Sequence, residues 1–175
     1  MEGELSIPWW EANTRQNNAY QFFMPKLLLS NNLISSFRRK GLLAYPKEYM
    51  ETLWGDISKA GHVKILRMEK LPFDPTNKIT NDMIEYNAKD VKFGIEKNGL
   101  IQLGTIHTHP WPELKNLTDG TKWLADCSPS EIDWAYLKES PQYVMGIMTI
   151  LPRKSRRVTR IRFYVGAEPF EVERI

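Results

Sequence analysis

Residues Leu100–Pro110 read Leu-Ile-Gln-Leu-Gly-Thr-Ile-His-Thr-His-Pro, and this stretch decides the fold. Apolar residues occupy both odd and even positions from Leu100 to His107. This pattern is typical of a strand that is covered on both faces near the centre of a sheet. The stretch therefore predicts a central strand with two histidines, His107 and His109, at its end.

The segments before this strand mix the two kinds of secondary structure. Residues 22–29 predict a first strand, and Ser30 is a suitable N-cap for a helix that ends before Pro46 and carries Leu33, Ile34 and Phe37 on one face. Residues 49–57 and 62–68 predict two strands at hairpin spacing. A second helix is predicted from Thr80 to the Asn98-Gly99 pair, because Ile84, Ala88, Val91 and Ile95 recur at helical spacing.

The segments after the central strand continue this mixture. Ser128 as N-cap, Pro129 at the first helical position and Glu131 in the first turn predict a third helix that runs to about Ser140. Residues 143–151 and 158–165 predict the last two strands. The order of elements predicts an α/β or α+β fold, with a central mixed sheet flanked by helices in one domain over residues 22–175. Residues 1–21 form an N-terminal extension.

Size and composition fit one soluble domain. The chain has 175 residues, of which 42% are hydrophobic and 26% charged, and its formal net charge is only +3. The overall charge therefore indicates no particular partner. A single cysteine, Cys127, excludes a disulfide framework and any multi-thiolate metal site. The acidic start has no apolar signal segment, and the longest apolar run, residues 143–151, is far short of the ~20 residues that span a bilayer. We expect a cytoplasmic protein without a membrane contact.

Histidine is scarce, since His62, His107 and His109 are the whole supply. Dinuclear metal sites usually need more imidazoles, so any metal site here is mononuclear and is completed by a carboxylate or a thiolate. The phosphate-binding glycine patterns and the serine-hydrolase elbow are absent, which removes support for those classes.

His107 and His109 lie two apart on a strand, so their side chains point to the same side and can bind one ion. Asp133, one turn into the third helix, is a candidate third ligand. Two other interpretations remain at this point. The histidines can be an ordinary surface pair, and Asp133 can complete a capping box with Ser130.

The combination of these residues resembles the JAMM motif of the MPN-plus metalloprotease family. That motif places His-x-His before Ser-x-x-Asp at a helix start, as His107, His109, Ser130 and Asp133 do here. The family's upstream glutamate follows a pattern like the stretch from Pro46 to Gly55, and Glu48 matches it. Glu51 is the competitor, but it fits the spacing to Gly55 less well and would lie on the opposite face of the strand.

One departure from the motif is large. Twenty residues, Pro110 to Pro129, separate His109 from Ser130, whereas the family pattern has seven. An insertion at about residues 111–127 therefore lies next to the predicted site, where it either gates access or packs onto the domain. Ser128 with Glu131 gives an alternative register, but Ser130 with Asp133 matches the family better.

The resemblance implies a fold, a metal and an activity. It implies an MPN-type, cytidine-deaminase-like domain with one Zn²⁺ per chain, bound by His107, His109 and Asp133. Glu48 would be the general acid/base and Ser130 the donor to the oxyanion. The implied reaction is hydrolysis of the amide bond after the C-terminal tail of ubiquitin or a ubiquitin-like modifier. The lack of further cysteines and histidines points to a minimal prokaryotic or archaeal member.

Two rival functions follow from the same sequence. One is a non-enzymatic MPN scaffold subunit, although such domains typically lose metal ligands. The other is a RadC-like, DNA-associated protein, and the only sequence feature that supports it is the basic stretch from Arg153 to Arg162. A solvated hairpin explains that stretch more simply, so we do not expect nucleic acid as a partner. A protein partner at residues 1–20 or at the insertion stays open. We assign His62 a structural role, and Cys127 is close enough in sequence to approach the metal.

Overall fold

The structure is a computed structural model, and it describes residues 26–59, 61–70, 78–80, 83–85, 91–110, 129–140, 142–153, 156–166, 168–170 and 172–175. Two helices lie within these residues, α1 (Asn31–Ala44) and α2 (Glu131–Glu139). The strands are β1 (Leu27–Leu29), β2 (Met50–Ile57), β3 (Val63–Lys70), β4 (Lys78–Thr80), β5 (Met83–Glu85), β6 (Glu96–Lys97), β7 (Leu100–Pro110), β8 (Val144–Arg153), β9 (Arg156–Val165), β10 (Glu168–Phe170) and β11 (Val172–Arg174). The predicted N-terminal extension and the predicted insertion lie outside the described residues.

One mixed sheet organises the domain. Its strands follow the order β10-β9-β8-β7-β2-β3-β1-β11, and β6 pairs with the start of β7. Strand β7 runs parallel to β8 and antiparallel to β2, so it has a neighbour on each side. The prediction that Leu100–His107 forms a central strand is therefore confirmed, and the strand continues to Pro110.

The two helices cover opposite faces of this sheet. A Cβ atom added to Gly41 of α1 would lie 2.7 Å from Thr108 Cγ2 and 2.5 Å from Met148 Cε, so this helix packs closely on the Thr108 side. Helix α2 lies on the other side, where Leu137 packs in a buried cluster that includes Ile147. His107 and His109 alternate with Thr108 and therefore face the α2 side.

Helix α1 forms as the sequence predicts. The Ser30 side chain accepts a hydrogen bond from the backbone N–H of Leu33 at 3.3 Å, which caps the first turn. Ile34 and Phe37 are buried against the sheet. The helix ends at Ala44, two residues before Pro46, because proline cannot continue it.

The second predicted helix is wrong. Residues 78–80 and 83–85 form the antiparallel pair β4 and β5, and Glu96–Lys97 pairs with the start of β7. Asn98 and Gly99 have positive φ angles of 53° and 75°, so they form the tight turn of a hairpin rather than a helix stop. The apolar residues recur at helical spacing, which favours a helix. The Asn-Gly pair at the end of the same segment is the strongest short hairpin signal, and a hairpin is what forms there.

The third predicted helix exists, but its N-cap is Ser130 and not Ser128. Helix α2 begins at Glu131 and is capped at its end by Ser140, as predicted. The two-residue shift has a physical cause, because Ser130 and Asp133 form a reciprocal capping box that satisfies two backbone donors at once. Ser128 itself lies outside the described residues.

Gly104 allows β7 to approach β8 closely. It has a φ of 157°, and an added Cβ would lie 1.8 Å from the backbone oxygen of Val144. We expect Gly104→Ala to lower the free energy of unfolding by about 2 kcal/mol, because the neighbouring strand must shift to make room. Thermal denaturation measures the loss.

Gly94 provides the matched control for this change. It also has a positive φ, 86°, but an added Cβ would meet nothing within 4 Å. Gly94→Ala should therefore cost only the backbone strain of about 1 kcal/mol. Equal losses in the two variants would contradict the argument from close approach.

No helix in the described part of the chain has both the length and the apolar character needed to cross a membrane.

Candidate metal centre

Three side chains converge where β7 ends and α2 begins. His107 Nε2 lies 2.9 Å from His109 Nε2. Asp133 Oδ1 lies 3.4 Å from His107 Nε2, and Asp133 Oδ2 lies 3.3 Å from His109 Nε2. In the described part of the chain, these residues form a group of His and Asp ligand atoms that could hold a metal ion, with the atoms all within 4.8 Å of one another.

The donor set and its spacing fit zinc. Zinc binds imidazole nitrogen and carboxylate oxygen at 2.0 to 2.2 Å, so ligand atoms of a tetrahedral site lie about 3.3 Å apart. Here the two imidazole nitrogens lie 2.9 Å apart, each lies within 3.4 Å of one Asp133 oxygen, and a set with one ligand atom from each residue lies within 4.8 Å. Three protein ligands are also the number found in catalytic zinc sites, which keep one position for water or substrate.

Hydrogen bonds from Ser130 hold the Asp133 carboxylate in place. Its Oδ2 accepts hydrogen bonds from the Ser130 backbone N–H at 2.8 Å and from the Ser130 hydroxyl at 2.7 Å. The sequence left open whether Asp133 completes a capping box or serves as a metal ligand. In this geometry Asp133 can do both. The start of α2 brings the carboxylate to the end of β7.

The surroundings of Asp133 favour its ionised form. Burial alone would raise the pKa of this carboxyl group, but hydrogen bonds from His107, His109 and Ser130 outweigh burial. Together they hold the pKa of Asp133 well below its usual range. The carboxylate is thus in the state that a metal ligand requires.

Ser130 lies beside the candidate centre with its hydroxyl already engaged. The oxygen accepts a hydrogen bond from the Asp133 N–H at 3.2 Å, and the hydroxyl proton is directed to Asp133 Oδ2. A hydroxyl has only one proton to donate. Donation from Ser130 to a substrate oxyanion therefore requires this proton to turn away from Asp133.

Glu48 lies two residues before β2 begins, next to the end of β7. Met50 pairs with His107, and the backbone N–H of Thr108 donates to Tyr49 O at 2.9 Å, so the chain just before β2 stays beside β7. Glu48 is not a member of the three-residue ligand group.

Glu51 points to the face of the sheet opposite to the histidines and has different partners. It is only 1% exposed, and its Oε1 accepts hydrogen bonds from Lys40 Nζ and from the Tyr49 hydroxyl, both at 2.6 Å. Burial and the neighbouring Glu51 carboxylate raise the pKa of Tyr49. Because Lys40 belongs to α1, Glu51 connects that helix to β2 on the side away from the candidate centre.

Thr149 is a neighbour of the site that sequence analysis did not identify. It pairs with His109 across the parallel strands β7 and β8 and is fully buried. Within the described residues, neither its hydroxyl nor His107 Nδ1 has a hydrogen-bond partner. No sequence signal could have found Thr149, because only the register of two strands far apart in the chain places it beside His109.

His62 lies outside the ligand group. Its Nδ1 accepts a hydrogen bond from the backbone N–H of Lys26 at 3.1 Å, next to the start of β1. This contact gives the residue a structural role at the turn before β3. Cys127 lies outside the described residues.

No protein-family model matches the chain, and no curated protein matches it significantly. Solved structures with a similar fold include three at low identity. A JAB1/MPN domain protein from Archaeoglobus fulgidus is 18% identical, with 87% of this chain and 98% of that chain covered and a TM-score of 0.48. A protein from Desulfitobacterium hafniense is 17% identical over 85% and 92% of the two chains, with a TM-score of 0.50. A protein from Salinibacter ruber is 16% identical over 85% and 91%, with a TM-score of 0.44.

At these identities the likeness concerns the fold alone. The fold class predicted from the sequence, a mixed sheet flanked by helices, is confirmed by the strand order and by the helix on each face.

Proposed function

We propose that the chain is a zinc-dependent peptidase or isopeptidase of the JAMM type. The observation that carries the proposal is the convergence of His107, His109 and Asp133. Glu48, two residues before β2, is the proposed general acid/base. A non-enzymatic scaffold has no need of such a ligand set. The intact set therefore favours an enzyme over the scaffold alternative.

The roles of the residues follow from their chemistry and placement. His107, His109 and Asp133 would hold zinc, which when bound supplies Lewis-acid activation of water and of the scissile carbonyl. Glu48, close to the ligands but not one of them, would accept a proton from the attacking water and pass it to the leaving amine. The Ser130 hydroxyl, once turned from Asp133, would donate a hydrogen bond to the developing oxyanion.

The substrate class rests on the resemblance of the motif alone. A ubiquitin-like protein, joined through its C-terminal tail to an amine, is the substrate that this motif implies. The capping box, which fixes Asp133 beside the two histidines, supports metal-assisted amide hydrolysis in general, whichever modifier is recognised.

Cleavage assays test this function directly. The zinc-loaded chain is incubated with linear and with lysine-linked fusions of ubiquitin-like proteins, with and without a chelator. We expect cleavage after the modifier tail that stops when zinc is removed. Comparable cleavage of unstructured peptides would indicate a general peptidase, and no chelator-sensitive cleavage of any amide substrate would refute the proposal.

A further inference from the structure

A shallow groove of about 390 Å³ runs along the outward side of α1. We call it the α1 groove. Its lining consists of Ser35, Arg38, Arg39, Leu42, Leu43 and Arg157. None of these residues belongs to the candidate metal centre, so the groove has no role in the function proposed above.

The α1 groove is strongly positive. Three of its six lining residues are arginines and none is acidic. The guanidinium of Arg157 lies 4.5 Å from the centre of the Tyr45 ring, a cation–π contact that holds this side chain at the rim. Arg38 Nε is buried and, among the described residues, has no hydrogen-bond partner. The positive charge of the groove therefore comes from one guanidinium that is held at the rim and from two arginines on the helix itself.

Between these charges lies an apolar surface. Leu43 is 80% exposed, and Leu42 beside it is half-buried. Two adjacent leucines in one groove give a partner an apolar surface to pack against. On α1 these leucines follow Arg38 and Arg39 by one helical turn, so apolar and charged groups line the same groove.

The α1 groove lies on the far side of the sheet from the candidate centre. Helix α1 packs on the face that carries Thr108 and Met148, whereas His107 and His109 face the α2 side. A molecule bound in the groove would therefore leave the metal ligands accessible. Binding there can serve to recruit the chain without blocking its chemistry.

We propose that the α1 groove binds a short acidic segment of a partner protein. One large apolar side chain of that segment packs against Leu42 and Leu43, and carboxylates on either side of it pair with Arg38, Arg39 and Arg157. A single-stranded nucleic acid fits less well, because its bases stack on exposed aromatic rings and the ring of Tyr45 is already covered by Arg157.

Binding of a labelled peptide to the full chain tests this proposal. The probe is fluorescein-labelled Gly-Glu-Glu-Leu-Leu-Glu-Glu-Gly, followed by fluorescence anisotropy. We expect saturable binding that weakens with added salt and falls about tenfold or more in Arg39→Glu and in Leu43→Ser, since the first change reverses a charge and the second removes apolar contact surface. Both residues are exposed, so circular dichroism should show an unchanged fold.

Matched controls separate the groove from general charge effects. Lys59→Glu makes the same change in net charge as Arg39→Glu, but in the exposed turn between β2 and β3. It should leave the affinity for the peptide unchanged. A probe with serines in place of its leucines should bind at least about tenfold more weakly. Equal weakening by Lys59→Glu, equal affinity of the serine probe, or no binding at all would each overturn the proposal.

An oligothymidine in the same assay distinguishes the other class of macromolecule. Tighter binding of the oligonucleotide than of the peptide, lost in Arg39→Glu, would make the groove a nucleic-acid site and would also overturn the proposal. None of these measurements uses amide hydrolysis, so their outcome is independent of the proposed activity.

Discussion

Replacing Glu48 with glutamine is expected to lower the rate of amide hydrolysis by about 100-fold or more while the metal content stays at one equivalent. Glutamine keeps the size of the side chain but cannot accept the proton of the attacking water. The residue precedes β2 and does not belong to the ligand group, so the metal should remain bound. Steady-state kinetics on a cleavable fusion and elemental analysis of the same sample provide the two measurements.

Glu51→Gln is the matched control for this prediction. It makes the same chemical change three residues away, on the face of β2 opposite to the histidines, where the carboxylate pairs with Lys40 and Tyr49. We expect it to lower stability, because it weakens a buried charge pair, and to leave the rate of the folded protein unchanged. An active Glu48→Gln enzyme, or an inactive but folded Glu51→Gln enzyme, would transfer the role to Glu51.

The second large effect is on metal binding. The double variant His107→Ala/His109→Ala should lose nearly all of about one equivalent of zinc, because only Asp133 of the three ligands remains. Elemental analysis after exhaustive dialysis measures this loss. Activity should fall to the uncatalysed level in the same sample.

His62→Ala is the control for the double variant. The third histidine of the chain contacts the backbone of Lys26 and lies outside the ligand group, so its removal should leave the zinc content at one equivalent. A double variant that retains its zinc would show that the metal, if bound, is held elsewhere. That result would refute the assignment of the centre.

Sequence patterns predicted the parts of the fold in which one signal dominates. The two-faced apolar run of Leu100–His107 predicts a strand covered on both faces, and β7 is such a strand, with a neighbour on each side. For α1, the cap at Ser30, the apolar face and Pro46 all indicate the same bounds. Agreement among independent local signals explains why these elements were predicted correctly.

The errors arose where two signals competed. Between Thr80 and Gly99 the apolar spacing favoured a helix, whereas the Asn-Gly pair favoured a hairpin, and the hairpin formed because β6 can pair with the start of β7. At α2, Ser128 and Ser130 both offered a cap, and the reciprocal bond with Asp133 decided between them. Local spacing cannot weigh such alternatives, because the outcome depends on partners elsewhere in the chain.

Only part of the candidate site could be predicted, because some of its residues come together through contacts between distant parts of the chain. The histidine pair and Asp133 came from spacing and from motif resemblance, and expected alternation along one strand separated Glu48 from Glu51. Thr149 and Lys40 could not be found, because they reach the site and Glu51 through strand register and helix packing. These long-range contacts have no local pattern in the sequence.

The capping box at the start of α2 has a consequence for how the centre behaves when it is emptied and refilled. Ser130 fixes Asp133 through hydrogen bonds, and His107 and His109 lie on the central strand of a sheet with an apolar core of its own. Small zinc domains unfold without their metal because the metal supplies most of their folding free energy. For a domain with its own core we instead expect removal of zinc to be a reversible exchange with the solution that leaves the fold intact.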